Sequence, residues 1–268
     1  MIEKIIYENH QKERIVFGEA GLFVNENALR DFTWNITSKN DKISSFSKKI
    51  TKKSLPVVIL DDVELANRIF EVMEKDVLAE KHGRFYIGDY YLQCYCTGSK
   101  HSDYLTKKGM MKLTLDFQTD KPFWVRESEH VYPIVDTMDD GFLDYPYDMP
   151  YDYCVQHDTK TINNSNFTDS EFIIRIFGYV QKPTLYIGGH EYTVDVTVDT
   201  GEYLTIDSTN KTIILTKYDG TQVNCFNARN KESYIFKKIA AGNNILTTSS
   251  SFLFSITLLE ERGEPLWT

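Results

Sequence analysis

Short apolar runs separated by tight-turn signals dominate the sequence after residue 160, and this pattern limits the fold more than any other feature. The turn signals are Gly188-Gly189, Asp199-Thr200-Gly201, residues 207–210 and Asp219-Gly220. Glycine adopts positive φ angles at no steric cost, and Asp and Asn side chains bond to nearby backbone amides, so such clusters end strands. Asp219-Gly220 predicts a two-residue hairpin turn. Strands joined at these short intervals favour a β-sandwich.

One segment, YTVDVTVD over residues 192–199, alternates strictly between apolar and polar residues. A period of two places one set of side chains in a core and the other in water, so the segment is predicted to be one half-buried strand. Asp195 and Asp199 would stand about 13 Å apart along it, whereas a glycoside-hydrolysing pair needs roughly 5 to 9.5 Å. Cross-strand pairing could still bring Asp195 near Asp207. Because no cluster of partners divides acid and base roles among them, we predict that Asp195, Asp199 and Asp207 are solvent-side residues.

The first half of the sequence predicts another β-rich domain, which contains one helix. Strands are predicted within residues 21–60, 84–98 and 108–125, with a turn at Asn40-Asp41. The helix is predicted within residues 61–83, where Asp61 and Glu64 form a capping-box pattern and Gly83 is expected to end the helix. Its apolar stripe at helical spacing consists of Ala66, Ile69, Phe70, Met73 and Val77.

An acidic segment that contains prolines separates these two halves. Residues 136–152 hold six aspartates and no basic residue, and periodicity is lost there, which is typical of a linker or a surface loop. The predicted organisation is therefore mainly β, with an N-terminal β domain over residues 1–138, a linker over 139–160 and a C-terminal β-sandwich over 161–268. Trp267 is expected to pin the end of the chain to the body of the protein.

Charge is distributed unevenly along the chain, whose net charge is −9. An acidic protein is a poor candidate for a dedicated nucleic-acid binder, because neutralising phosphates requires a surplus of Lys and Arg. Residues 30–53 nevertheless contain seven basic residues against two acidic ones, and we interpret them as an exposed, extended arm. The arm is either a solvated face or a contact with other copies or partners. Its candidate contact residues, facing another copy of the chain or a partner, are Lys48, Lys49, Lys52 and Lys53.

The sequence lacks the common signatures of catalysis and cofactor binding. GxGxxG, HExxH, GxSxG, paired CxxC and the phosphate-binding loop pattern are all absent, so no cofactor, metal site or catalytic residue is predicted. Cys94 and Cys96 share one face of a predicted strand, where two packed, reduced thiols are favoured over a metal site. No apolar run approaches the roughly 18 residues of a membrane-spanning helix and no signal-peptide core is present, so synthesis in the cytoplasm is expected.

Six segments, taken in their order along the chain, carry the pattern of a known family. They are KLTLDFQTDKPFW, DYPYDMPYDY, NFTDSEFIIRIFGYVQKPTLYIGGHEYTV, GEYLTIDSTNKTI, IFKKIAAGNN and ERGEPLW. Together they resemble the distal tail proteins of long, non-contractile-tailed bacteriophages that infect Gram-positive bacteria. The resemblance covers most of the chain and is densest after Asp144. No single segment is diagnostic, and the order of the segments carries the resemblance.

The resemblance implies a structural role in the virion, at the tip of the tail. Distal tail proteins form a homohexameric ring in which the N-terminal β domain surrounds a channel and a galectin-like β-sandwich projects outward. The ring joins the tail tube to the tail-associated fibre or lysin protein and to the receptor-binding apparatus, and the family has no catalytic residues. A galectin-like fold does not imply sugar binding. The alternatives are a carbohydrate-binding module that contacts the host cell wall and, third, a glycoside hydrolase.

Overall fold

The computed structural model describes residues 4–19, 21–24, 27–60, 63–105, 109–134 and 160–267. The chain divides into two compact units. Unit 1 consists of Met1–Arg126 together with Glu261–Thr268, and unit 2 consists of Glu127–Glu260. Both units are built mainly from antiparallel strands, so the predicted fold class is confirmed.

Among the described residues, unit 1 contains most of the helical residues and ten strands, the last of which continues into unit 2. The strands are β1 (Ile5–Glu8), β2 (Arg14–Phe17), β3 (Leu22–Val24), β4 (Asn35–Lys39), β5 (Lys42–Ser47), β6 (Thr51–Leu60), β7 (Gly83–Ile87), β8 (Tyr90–Leu105), β9 (Met110–Thr119) and β10 (Trp124–Tyr132); the helices are α1 (Asn27–Arg30) and α2 (Val63–Leu78). The pairing order is β2-β1-β7-β8 and then β8-β9-β6-β3. Strands β4 and β5 form a two-stranded sheet of their own.

Helix α2 packs its apolar stripe into the core of unit 1. The residues of α2 that are buried are Ala66, Ile69, Val72, Met73 and Asp76. Two residues of the predicted stripe are not fully buried: Phe70 is half-buried and Val77 is 40% exposed. The buried stripe therefore runs through Val72 and the carboxylate of Asp76 instead.

The predicted end of the helix at Gly83 is wrong, because α2 ends at Leu78. Glu80 takes a left-handed conformation with φ 53°, and the Lys81 amide donates to the Asp76 carbonyl at 3.0 Å, which closes the helix as a Schellman turn without glycine. Gly83 instead begins β7, where a Cβ atom would lie 2.2 Å from Tyr7 Oη. Close packing therefore requires the glycine. Asp61, the predicted capping residue, lies outside the described residues.

Unit 2 is built from short strands that share one hydrophobic core. The strands are β11 (Lys160–Asn164), β12 (Glu171–Phe177), β13 (Val180–Gln181), β14 (Thr184–Ile187), β15 (His190–Thr193), β16 (Thr197–Val198), β17 (Tyr203–Asp207), β18 (Thr212–Thr216), β19 (Gln222–Asn224), β20 (Gly242–Thr248) and β21 (Leu253–Arg262). One sheet has the order β21-β12-β17-β18-β19 and another has the order β11-β20-β14-β15. Ile174 and Leu204 of the first sheet pack in the same core as Leu185 and Leu246 of the second, which is the layering of a sandwich.

The predicted turns of unit 2 are found, with one correction. Gly188 and Gly189, at φ 55° and 77°, form a two-residue turn between Ile187 and His190. The turn at Asp219-Gly220 is longer than predicted, because Lys217 donates to the Thr221 carbonyl at 2.9 Å across three intervening residues. Gly220 takes the left-handed position of that three-residue loop, at φ 83°.

The compact units differ from the predicted domain boundaries at both ends. Unit 2 begins at Glu127, not after residue 160, and Glu261–Thr268 returns to unit 1. The predicted linker lies almost entirely in residues 135–159, outside the described residues. The sequence pattern does not mark the boundaries of the units, because strands β10 and β21 each continue through one of them.

Candidate assembly surface

The basic segment that the sequence singled out contains an isolated β-hairpin. Strands β4 and β5 pair with each other and with no other strand among the described residues, and Asn40 and Asp41 form the predicted turn at φ 52° and 58°. Two consecutive positive φ angles define the type I′ turn, whose twist matches that of a hairpin. The pairing of Lys39 with Lys42 closes the hairpin tip.

The register makes this hairpin amphipathic. Ile36 lies directly opposite Phe46, and Ser38 lies opposite Ile43 after a bulge at Ser44, so these four side chains share one face. Ile36 is 57% exposed, Ile43 58% and Phe46 60%. Residues opposite each other on the other face are Asn35 with Ser47, Thr37 with Ser45, and Lys39 with Lys42. The hairpin therefore presents an apolar face and a polar face to solvent, although one face of a sheet is ordinarily buried.

Lys48 anchors the base of the hairpin and is only partly exposed. Its Nζ lies 4.2 Å from the ring centre of Phe123, 5.0 Å from that of Trp34 and 5.3 Å from that of Phe32. It also donates to the Pro122 carbonyl at 3.0 Å. Burial among these groups lowers the pKa of Lys48. The cation–π contacts hold both ends of the hairpin against the loop between β9 and β10.

Lys53 corrects the interpretation of residues 30–53 as a uniformly exposed arm. Its side chain is buried, and its Nζ donates to the carbonyls of Leu29 and Asp31. Burial lowers the pKa of Lys53 from 10.5 to about 8. The burial of Lys53 could have been predicted from the sequence, because Lys53 points to the same face of β6 as the buried residues Leu55 and Val57. Lys53 thus belongs to the core of the unit.

Lys52 points to the other face of β6 and forms an internal ion pair. Its Nζ lies 2.9 Å from Oδ2 of Asp116, and Ser54 donates to Oδ1 of the same carboxylate at 2.6 Å. These hydrogen bonds from Ser54 and Lys52 lower the pKa of Asp116 to about 2. Of the four predicted contact lysines, Lys49 alone is exposed with no ion pair among the described residues.

The lowered pKa of Lys53 predicts how stability depends on pH. The unfolded chain keeps the Lys53 proton up to about pH 10.5, whereas the folded chain releases it near pH 8, so this group makes folding more favourable as pH rises between them. In urea unfolding, the stability of the wild type relative to Lys53→Met should rise by on the order of 1 to 2 kcal/mol between pH 7.5 and 10. Lys49→Met is the matched control and should show no such change. A flat difference for Lys53→Met would contradict the assignment.

Arg30 is also buried, and it holds the end of the chain within unit 1. Its Nη1 donates to the Pro265 carbonyl at 2.8 Å and lies 3.5 Å from Oε1 of Glu264. Its guanidinium carbon lies 3.8 Å from the ring centre of Trp267. The expected pinning by Trp267 is therefore a stacking contact on Arg30, and the Trp267 ring is itself 68% exposed. Arg30, like Lys53, stabilises unit 1 from within.

The three carboxylates that the sequence singled out in unit 2, Asp195, Asp199 and Asp207, lie on different parts of the fold. Asp195 and Asp199 are exposed, and Val194 and Val198 beside them are buried, as predicted. The predicted single strand is nevertheless interrupted, because β15 ends at Thr193 and β16 begins at Thr197. The Asp195 amide donates to the Ala228 carbonyl there. This hydrogen bond takes the place of a strand-to-strand bond at Asp195. The alternation of apolar and polar residues in the sequence does not predict such an interruption.

Asp207 has a structural role in the turn that follows β17. Its Oδ1 accepts from the amides of Thr209 and Asn210 at 2.8 and 2.9 Å, and its Oδ2 accepts from the Asn210 side chain at 2.7 Å. The predicted turn role is confirmed, and Asp207 itself is half-buried, not fully exposed.

We expect Asp195→Asn and Asp199→Asn each to change the free energy of unfolding by less than about 0.5 kcal/mol, because exposed carboxylates with no side-chain partner among the described residues contribute little. Asp207→Asn should cost about 1 kcal/mol, since a neutral oxygen accepts amide bonds less strongly. Thermal or urea unfolding measures these differences. A loss above 2 kcal/mol in Asp195→Asn or Asp199→Asn would show an unrecognised contact.

Cys94 and Cys96, the two thiols that the sequence places close together, both lie on β8. Cys94 is buried and Cys96 is half-buried, and burial raises the pKa of both, that of Cys96 to about 11. No group of three His, Cys, Asp or Glu side chains that could hold a metal occurs within the described ranges. No helix of the described part of the chain is long and apolar enough to cross a membrane.

Solved phage proteins match the chain over its whole length. One match is the SPP1 Dit protein (gp 19.1), described as a paradigm of the hub adsorption apparatus in phages infecting Gram-positive bacteria. It is 11% identical in sequence to this chain, with a TM-score of 0.59. The match covers 98% of this chain and 100% of the SPP1 chain. The chain has the fold of a phage baseplate hub protein. A chain of the phage P2 baseplate in its activated conformation with Ca is 14% identical with a TM-score of 0.62, covering 99% and 100%. The same baseplate with Sr gives 14% and 0.61.

No family model and no curated protein matches the sequence. The resemblance to distal tail proteins is thus confirmed through three-dimensional structure, at the level of the fold, and not through overall sequence identity.

Proposed function

We propose that the protein is a structural component of a phage tail tip, in which six copies close into a ring that joins the tail tube to the fibre or lysin protein and the receptor-binding apparatus. The observation that carries the proposal is the full-length match in fold to the SPP1 hub protein and to a chain of the phage P2 baseplate. The protein acts through assembly, without catalysis, and takes its place in the virion after synthesis in the host cytoplasm.

The amphipathic β4–β5 hairpin supplies a physical reason for assembly. Isolated two-stranded hairpins are only marginally stable in water, so this hairpin gains order when its apolar face is covered. Covering Ile36, Ile43 and Phe46 fully would stabilise a contact by roughly 1 to 2 kcal/mol for each side chain, given that each is already partly covered. A ring repeats such a contact at every interface.

The mass of the assembled particle tests the proposal. Light scattering after size exclusion, over a range of concentrations, should give six times the chain mass of 31.2 kDa. A strict monomer at high concentration would contradict the proposal. If the protein were a carbohydrate-binding module of the cell wall instead, a monomer would bind purified wall polysaccharide.

A further inference from the structure

Unit 1 carries a groove beside an edge of β8 that is free of strand partners among the described residues. Strand β7 pairs with β8 only as far as Cys94. Tyr90 and Tyr91 of β8 pair with both β7 and β10, so these two strands lie on opposite edges of β8. Beyond Cys94, β9 pairs with β8, and a short loop after Thr119 joins β9 to β10 on the same edge. The edge on the β7 side is thus open from Cys96 onward. Open edges accept strands from other chains.

The groove lies between this edge and helix α2. Its volume is about 570 Å³, and Thr97 and Ser99 complete its lining together with apolar residues of both elements. The apolar lining residues are Phe70, Met73, Val77 and Cys96. Glu74 stands at the rim, exposed and with no ion pair among the described residues. The groove is therefore apolar at its floor and acidic at its rim.

The β4–β5 hairpin has the complementary chemistry. It offers the apolar side chains Ile36, Ile43 and Phe46 on one face, and its own strand edges are unpaired among the described residues. Lys39 and Lys42 lie directly opposite each other at its tip, and with Asp41 of the turn they leave the tip with a net positive charge. The hairpin therefore has an apolar face that could cover the apolar floor of the groove, and basic side chains that could pair with its acidic rim.

We propose that the hairpin of one copy of this chain docks into the groove between α2 and β8 of the next copy. The apolar face covers the groove, an edge strand of the hairpin lies along the open edge of β8, and the lysines at the tip face Glu74. The two patches differ, so the contact is head-to-tail and closes into a ring. The occupant is a second copy, so this inference rests on the proposed function and specifies its interface.

Native Cys96 in the groove allows a direct test by disulfide formation. In a Cys154→Ser background, Ser38→Cys places a thiol on the apolar face without removing an apolar side chain, and Ser45→Cys places one on the polar face. Cys94 and Cys225 are buried, whereas Cys96 is half-buried and lines the groove. With diamide as oxidant, Ser38→Cys should give covalent oligomers up to six chains on a non-reducing gel. Ser45→Cys should give at least tenfold less, and Cys96→Ser should abolish the ladder.

The outcomes separate the interface from the proposed function. One outcome would overturn the docking while leaving the proposed function in place. Light scattering would show rings, but Ser38→Cys would cross-link no more than Ser45→Cys or not at all. A chain that stays monomeric would overturn both. A ladder that depends on both Ser38→Cys and Cys96 supports the docking.

Discussion

Replacing both Ile36 and Phe46 with Asp should convert the assembled protein into monomers. These residues lie directly opposite each other on the apolar face of the β4–β5 hairpin, and both are more than half exposed in the single chain. Two carboxylates in place of two apolar side chains remove the burial that favours assembly and add charges that must lose water in the interface. The dissociation constant of the contact should rise by at least about 100-fold, which corresponds to roughly 2.7 kcal/mol.

The matched control is Thr37→Asp with Ser45→Asp, the neighbouring pair on the polar face of the same hairpin. It adds the same charge one residue nearer the turn on each strand and should leave assembly within about threefold of the wild type. Circular dichroism should show that both variants remain folded, since all four positions are exposed. Equal loss of assembly in both variants would show that charge at the hairpin, and not its apolar face, controls the contact.

Replacing Asp76 with Ala should destabilise unit 1 by about 3 to 5 kcal/mol, because it removes a buried acceptor that three donors share. Asp76 is fully buried, and its Oδ2 accepts from Tyr7 Oη at 2.6 Å. Its Oδ1 accepts from the His10 amide at 2.8 Å and lies 2.6 Å from His10 Nδ1. Burial, together with the hydrogen bond to Asp76, raises the pKa of Tyr7, so the hydroxyl stays protonated and donates to Asp76. Loss of the carboxylate leaves these donors buried without a partner.

Urea unfolding measures the effect, with two comparisons. Tyr7→Phe removes one of the three donors and should cost about 1 to 2 kcal/mol. Glu71→Ala, on the exposed side of the same helix, should change stability by less than about 0.5 kcal/mol. An Asp76→Ala variant as stable as Glu71→Ala would contradict the role of this carboxylate.

The mainly β fold, helix α2 and the solvent position of Asp195 could be predicted from the periodicity of the sequence. The Asn40-Asp41 and Gly188-Gly189 turns could be predicted from their residue types. Each of these depends on contacts within a few residues of chain. Asp76 and Lys53 were missed, although both are in phase with apolar residues of their own element. Polar side chains are usually assigned to water, and their partners lie far along the chain, at Tyr7 for Asp76 and at Leu29 for Lys53.

The surface that we propose for assembly lies within the region that the sequence indicated, but its chemistry differs from the predicted one. The sequence indicated residues 30–53 as a contact region because of their charge. The register of the hairpin instead separates three exposed apolar side chains onto one face, while Arg30, Lys48, Lys52 and Lys53 are held by internal contacts. A register shift at Ser44 brings Ile43 onto the apolar face, and a bulge of that kind cannot be derived from alternation.

Electron microscopy of the concentrated protein tests the central claim most directly. We predict closed rings of six subunits with an open central channel in the wild type, and single subunits in the Ile36→Asp, Phe46→Asp variant under the same conditions. Single subunits in the wild type, or open chains of indefinite length, would contradict the claim that this chain is the ring component of a phage tail tip.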